Sequence, residues 1–358
     1  MPAVSRRRSI ALLAAGVVAA AIGSLPAIAV GEGAGSGTTS PTTTPTTPGP
    51  ERAQLPQPPK PAHRAHPPQR AHLSVHVHGV HHGKVEVGKR VNAVGYLRPF
   101  VAAQHVRVKL LRNGHVIQKL NPKAKRVRGE NAGRYRFRSP ALSKPASYRI
   151  VAKHVRNGQQ RQDSARSPNF HISFPDLDPG DRNSAVRIFN HLLLRQGYYS
   201  THGERYSKRT ALAVMAFRKT NGMKRTFNAN PGIFKQLADG RGEFHLKYPG
   251  AGKHVEVDIS RQVMVLANHR KPQYTIHVST GAPATPTIRG HFRFYSRQAG
   301  FNSSGMYYSV YFRGGYATHG YHSVPSYPAS HGCVRNPISQ SVFIYNWVRL
   351  GMSVYVYG

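Results

Sequence analysis

The sequence is short of cysteine, of acidic residues and of long apolar runs. Cys333 is the only cysteine in 358 residues, so no internal disulfide can stabilise the fold. Only 13 Asp and Glu residues oppose 51 Lys and Arg residues, which gives a formal net charge of +38. A charge of this size attracts polyanions in a salt-dependent manner. Outside residues 1–30, no apolar run is long enough to span a bilayer.

Residues 1–30 have the pattern of an export signal. Arg6, Arg7 and Arg8 precede an apolar run from Ile10 to Gly23, and the small-residue site Ala27-Ile28-Ala29 follows. We therefore predict a cleaved signal peptide and an exported, extracytoplasmic protein. An uncleaved membrane anchor is the alternative, because the residues after Gly23 could lengthen the run.

The excess of positive charge does not point to nucleic acid. The basic residues are spread over every segment, and no helix-turn-helix, zinc-finger or RNP-type pattern is present. Because the N-terminus indicates export, anionic cell-wall polymers are the better partner. The histidines near His76 and His78 are joined by no Asp or Cys, so we favour a solvated basic edge over a metal site and expect no metal and no cofactor.

Two compositional changes divide the region after the signal. Residues 31–71 are rich in Thr and Pro and have almost nothing apolar to bury, which predicts a disordered, extended linker. Residues 72–174 alternate with period two and contain Asn113-Gly114, a strong hairpin turn. We predict an immunoglobulin-like β-sandwich for this segment.

Residues 176–245 change to a helical period. Helices are predicted from about Arg182 to Gln196, after Ser207 as N-cap, and after Asn230-Pro231. The stretches 193–199 and 210–218 resemble the three-helix peptidoglycan-binding domain, although residues 225–228 replace one of that family's turns. The resemblance implies binding of glycan strands, and a rigid spacer is the alternative.

Residues 250–358 return to a strand period and have one predicted helix at Ser339 to Arg349. We expect a mainly β domain, a sandwich or curled sheet with one covering helix. The lone thiol of Cys333 follows His331 and Gly332, and a second His-Gly pair stands upstream at His319. A thiol and an imidazole are the minimum for thiol acyl transfer.

We predict His319 as the general base, because Gly320 after it leaves room for close approach; His331 is the alternative. Acidic residues are scarce, so a backbone carbonyl near Gly320 is expected to orient the imidazole of His319. Ser330 is expected to form local hydrogen bonds.

The stretch from Ser330 to Arg335, with His319-Gly320 upstream, resembles the signature of L,D-transpeptidase (YkuD-like) catalytic domains. The runs 278–281 and 286–292 and the last strand at 351–356 extend the resemblance from about residue 253 to the C-terminus. It implies a thioester acyl-enzyme at Cys333 that cross-links peptidoglycan stem peptides in the 3→3 manner. It also implies an oxyanion hole formed by the backbone amides of His331, Gly332 and Cys333.

Four further residues are expected to bind substrate: Arg335, Tyr316, Tyr321 and Tyr327. For Arg335, a structural role behind the site is an equal alternative. Two other functions remain open, an L,D-carboxypeptidase that uses water at the same site and a non-catalytic cell-wall-binding protein. Because all catalytic candidates lie after residue 318, the upstream segments are expected to deliver the enzyme to the wall without taking part in the chemistry.

Overall fold

The computed structural model describes residues 67–358, which are mainly β with four helices. The predicted signal and most of the predicted linker lie outside these residues. Between residues 67 and 358, no helix combines the length and the apolar character that crossing a membrane requires.

The first segment is a two-sheet sandwich. Its strands are β1 (His72–Leu73), β2 (His76–His78), β3 (Lys84–Glu86), β4 (Asn92–Arg98), β5 (Arg107–Arg112), β6 (His115–Leu120), β7 (Lys125–Arg126), β8 (Gly133–Arg138), β9 (Ser147–His154), β10 (Asp163–Arg166) and β11 (Phe170–Ser173). One sheet has the order β1-β4-β8-β7 with β2 beside β4, and the other has the order β3-β11-β9-β5-β6 with β10 beside β9. Alternate residues of both sheets, such as Leu97, Val108 and Phe137, form the shared core.

Two local features of the sandwich bear on the sequence predictions. Asn113 and Gly114 join β5 to β6 with positive φ angles of 48° and 83°, which confirms the predicted tight hairpin. Ala71 is buried in the core, and Gln69 pairs with Gln160. The sandwich therefore includes residues before the predicted boundary at residue 72.

Three helices follow, α1 (Ser184–Arg195), α2 (Lys208–Thr220) and α3 (Pro231–Ala238). Each has a side-chain N-cap: Asn183 accepts from the amide of Val186, Ser207 forms a capping box with Thr210, and Asn230 accepts from the amide of Ile233. The three predicted helices are confirmed, because their start signals are local. Their apolar faces meet in one core that includes Phe189, Phe217 and Phe234.

The C-terminal segment consists of two sheets and one helix. Its elements are β12 (Lys253–Asp258), β13 (Val263–Asn268), β14 (Lys271–His277), β15 (Gly290–Arg293), β16 (Ser296–Phe301), β17 (Tyr307–Arg313), β18 (Tyr316–Tyr321), β19 (Val334–Pro337), α4 (Ile338–Trp347) and β20 (Ser353–Tyr357). The sheets have the orders β14-β13-β12-β20-β15 and β16-β17-β18-β19. Val257, Leu266, Val310, Val334 and Ile344 belong to the core that the two sheets share with α4. The predicted covering helix is confirmed.

The helical segment packs directly on this C-terminal domain. The amide of Thr275 in β14 donates to Gly197 O at 2.6 Å, so the residues after α1 extend the sheet beyond its edge strand. The ring of Tyr199 stacks on Phe343 of α4, with 4.2 Å between ring centroids. The three helices are therefore joined to the edge of the domain by main-chain and aromatic contacts, not merely tethered to it.

Candidate active site

The parallel pairing of β18 with β19 places the predicted site residues on one face. His319 is in register with Arg335, and Thr318 is in register with Val334. Side chains alternate along a strand, so Cys333, His319, Arg335 and Tyr321 share a face. They line one cavity of about 160 Å³. Four more residues complete its wall: Ser304, Met306, Ser330 and His331.

His319 is buried, with 3% of its surface exposed. Its Nδ1 lies 2.9 Å from the backbone oxygen of Gly320. A carbonyl can only accept, so Nδ1 carries the proton and Nε2 remains an acceptor. Burial lowers the pKa of His319, and the charge of Arg335 lowers it further. The hydrogen bond to Gly320 raises the pKa, but by less than burial lowers it. The imidazole is therefore neutral at neutral pH, and the carbonyl expected near Gly320 is the group that holds its Nδ1 proton.

Cys333 lies in the turn before β19. Its Sγ donates to Gly315 O at 3.5 Å. Burial raises the pKa of the thiol above its ordinary value, while the amide of Ala317 and the charge of Arg335 act in the opposite direction. The thiol is thus protonated at neutral pH and needs a base if it is to act as a nucleophile.

Ser330 closes the turn that presents the thiol. Its hydroxyl donates to Cys333 O at 2.5 Å and accepts the amide of Gly332 at 3.1 Å. Gly332 has a φ of 109°, and a Cβ there would lie 2.8 Å from the ring of Tyr316, so no other residue fits without rearrangement. The predicted local role of Ser330 agrees with these hydrogen bonds.

The same turn alters the predicted oxyanion hole. The amide of Gly332 is already engaged by Ser330. Within residues 67–358, the amides of His331 and Cys333 have no acceptor. Two amides, not three, are therefore available beside the thiol to receive a developing negative charge.

Arg335 makes a structural contact and also lines the cavity. Its Nη1 donates to Ala329 O at 3.1 Å, and its guanidinium lies 4.1 Å from the ring centroid of Tyr321. No ion pair among the described residues includes Arg335. Its positive charge therefore faces the cavity uncompensated while its side chain supports the backbone at Ala329.

The three predicted substrate-binding tyrosines occupy different places. Tyr321 lines the cavity, whereas Tyr316 packs beneath Gly332 and contacts the core. Tyr327 is 61% exposed and does not line the cavity. A side chain at position 320 would not fit, because a Cβ there would lie 2.0 Å from Oγ of Ser341 in α4.

Two cavity residues were missed from the sequence. Ser304 and Met306 reach the cavity from the turn between β16 and β17. No motif connects that turn to the cysteine, since only the pairing of distant strands brings them together. Among the described residues, no group of three His, Cys, Asp or Glu side chains is placed to hold a metal ion.

Comparison with protein families agrees with this geometry. Residues 252–356 match the family model YkuD, described as the L,D-transpeptidase catalytic domain. The C-terminal segment is a YkuD domain. No curated protein matches the chain.

Solved structures similar to this chain include L,D-transpeptidases. The enzyme from Xylanimonas cellulosilytica (residues 123–326) is 29% identical, with 51% of this chain and 98% of that chain covered and a TM-score of 0.48. The L,D-transpeptidase from Stackebrandtia nassauensis is 22% identical, with 51% and 94% covered and a TM-score of 0.32. The enzyme from Mycobacterium smegmatis is 12% identical, with 80% and 99% covered and a TM-score of 0.28.

Proposed function

We propose that this protein is an exported cysteine L,D-transpeptidase that cross-links peptidoglycan stem peptides in the 3→3 manner. The observation that supports the proposal is the cavity that Cys333 and His319 both line, where the Gly320 carbonyl accepts from Nδ1 of His319 and leaves Nε2 as an acceptor. The match of residues 252–356 to the YkuD family supplies the substrate class.

The proposed acylation begins with the neutral thiol–imidazole pair. Nε2 of His319 takes the proton of Cys333 as Sγ attacks the carbonyl of the third, diamino-acid residue of a tetrapeptide stem. The amides of His331 and Cys333 donate to the oxyanion that forms. Collapse of this intermediate breaks the peptide bond, and His319 returns its proton to the amine of the departing D-Ala. The product is a thioester on Cys333.

Deacylation reverses the roles. The side-chain amine of a second stem attacks the thioester carbonyl, and His319 takes a proton from that amine. The sulfur leaves and recovers a proton from His319, so that the free thiol and the neutral imidazole are restored. Arg335 supplies a positive charge at the cavity wall that suits a carboxylate of either stem. Water in place of the amine would give an L,D-carboxypeptidase.

The test uses the purified chain without its first 30 residues and a soluble tetrapeptide stem. Mass spectrometry is expected to show free D-Ala and a dimer whose mass equals donor plus acceptor minus D-Ala. A tripeptide without dimer would instead support the carboxypeptidase. Release of no D-Ala, together with no covalent adduct from a thiol-reactive carbapenem, would support a non-catalytic wall-binding protein.

The upstream segments are proposed to bind the anionic cell wall. A cavity of about 780 Å³, larger than the one at Cys333, lies between the 143–145 loop of the sandwich and the helices. Its lining is mostly basic or apolar and includes Lys144, Arg187, His191, Leu192 and Arg195. Apolar surface beside cations suits a sugar strand that bears carboxylates. We propose this groove as the contact with acidic glycan strands.

Charge reversal should weaken wall binding only where it changes this groove. The double variant Lys144→Glu with Arg195→Glu is expected to lower binding to purified sacculi at low salt about tenfold, because two exposed cations contact the polymer. The matched control, Arg107→Glu with Lys109→Glu, makes the same charge change on exposed positions of β5. Equal losses in the two variants would show that net charge alone causes binding, and the groove would then be abandoned.

A further inference from the structure

Lys219 is a buried lysine whose side chain reaches from the helical segment into the YkuD domain. It lies in the last turn of α2 with 3% of its surface exposed. Its Nζ donates to Gln262 O at 3.1 Å and to Val278 O at 2.8 Å, and lies 2.6 Å from Nδ1 of His277. These three acceptors match the three N–H groups of an ammonium. Burial, with the charge of Arg225, lowers the pKa of Lys219 to about 6.

His277 links Lys219 to the loop that precedes Cys333. Its Nε2 lies 3.0 Å from the backbone oxygen of Val324. A carbonyl only accepts, so Nε2 carries the proton and Nδ1 is free to accept from Lys219. Burial and the charge of Lys219 lower the pKa of His277, which keeps the ring neutral in this tautomer. One directed chain of hydrogen bonds therefore runs from Lys219 through His277 to Val324.

Residues 322–329, here named the site loop, connect the strand of His319 to the turn of Cys333. The loop contains no helix or strand of its own, so side chains from elsewhere hold its backbone. The side chains of three residues donate hydrogen bonds to backbone oxygens of the loop. His277 donates to Val324 O and Arg225 donates to Ser326 O. Ser279 donates to Tyr327 O at 2.7 Å. Two of these restraints originate in the helical segment, one directly from Arg225 and one from Lys219 through His277.

We propose that Lys219 is a positioning residue for the Cys333 site and acts through His277 on the site loop. As a statement about reaction rate, the proposal rests on the proposed function. The helical segment then helps to position the active site, contrary to the expectation that it takes no part in the chemistry. Small displacements of reacting groups carry large rate costs, so the loss of this anchor is expected to slow acylation.

The decisive variant is Lys219→Met, which keeps an unbranched side chain, one atom shorter, and removes its donors. Acylation by a carbapenem is expected to slow about 10- to 100-fold, mainly in the first-order acylation step and less in the initial binding constant. Hydrogen exchange of the site loop is expected to accelerate. Combining Lys219→Met with His277→Phe should slow acylation no more than the slower single variant, because both changes break the same series of hydrogen bonds.

Tyr199→Leu is the matched control. Tyr199 belongs to the same interface, because its ring stacks on Phe343, and its described ring contacts are with Tyr274, Phe343 and Arg209, all outside the site loop. The control is expected to destabilise the protein while leaving the acylation rate constant within about twofold and site-loop exchange unchanged. A rate that follows stability equally in Tyr199→Leu and Lys219→Met would assign Lys219 a merely structural role and overturn the proposal.

Two outcomes need separate readouts. If Lys219→Met does not fold, His277→Phe is the deciding variant. It removes the hydrogen bond to Val324 while Lys219 keeps two carbonyl acceptors. Unaltered site-loop exchange and acylation in His277→Phe would overturn the proposal. If the unsubstituted protein is not acylated at all, the proposed function fails. The positioning proposal is then judged by site-loop exchange alone, and exchange unaltered by Lys219→Met refutes it.

Discussion

Replacing Cys333 with alanine is expected to abolish both the covalent adduct and the release of D-Ala, with a loss of at least ~10³-fold in turnover. The sulfur is the whole nucleophile, and Cys333 is the only cysteine, so no other thiol can substitute for it. Intact-protein mass spectrometry after incubation with a tetrapeptide stem, and separately with a carbapenem, measures the effect. An adduct of the same mass on Cys333→Ala would refute the assignment.

The fold of that variant should be almost unchanged. The described polar contacts of Sγ are with Gly315 O and the amide of Ala317, so the substitution should cost no more than about 1 kcal/mol of unfolding free energy. Cys333→Ser is the companion variant. It keeps a donor of similar size, but a hydroxyl is a far weaker nucleophile under the same base. A folded serine variant without turnover would show that reactivity, and not packing, is what the sulfur supplies.

The helices and the hairpin could be predicted because their signals are local. Ser207, Asn230-Pro231 and Asn113-Gly114 determine the backbone within a few residues of themselves. The grouping of His319 with Cys333 was also within reach, because both flank short turn-rich stretches of one motif.

The cavity and its supports depended on contacts that no local pattern reveals. Ser304 and Met306 reach the cavity only because β17 pairs with β18 and β18 pairs with β19. A lysine at the end of a helix normally suggests a solvated, dipole-favourable position, and Lys219 is instead buried against the backbone of another segment. The hydrogen bond from the amide of Gly332 to Oγ of Ser330 also depends on side-chain orientation, which no sequence pattern gives.

His319→Ala is expected to lower turnover by ~10²–10⁴-fold, the usual contribution of a general base. His331→Ala should cost far less, because the proposed contribution of His331 is its backbone amide, which the substitution keeps. Both variants are compared by D-Ala release at saturating stem peptide, with circular dichroism to check folding. A larger loss in His331→Ala would reverse the roles of the two histidines.

The pH profile separates a base from a structural histidine. Burial and Arg335 lower the pKa of His319 below its ordinary 6.5, so unsubstituted enzyme should retain activity at neutral pH and lose it only as His319 becomes protonated below that value. In His319→Ala the thiol must ionise unaided, and burial raises its pKa above its ordinary value. The residual rate of this variant should therefore rise about tenfold per pH unit through the neutral range, following the thiolate fraction. A flat neutral profile in His319→Ala would mean that another group still takes the proton of Cys333, and His319 would lose its assignment as the base.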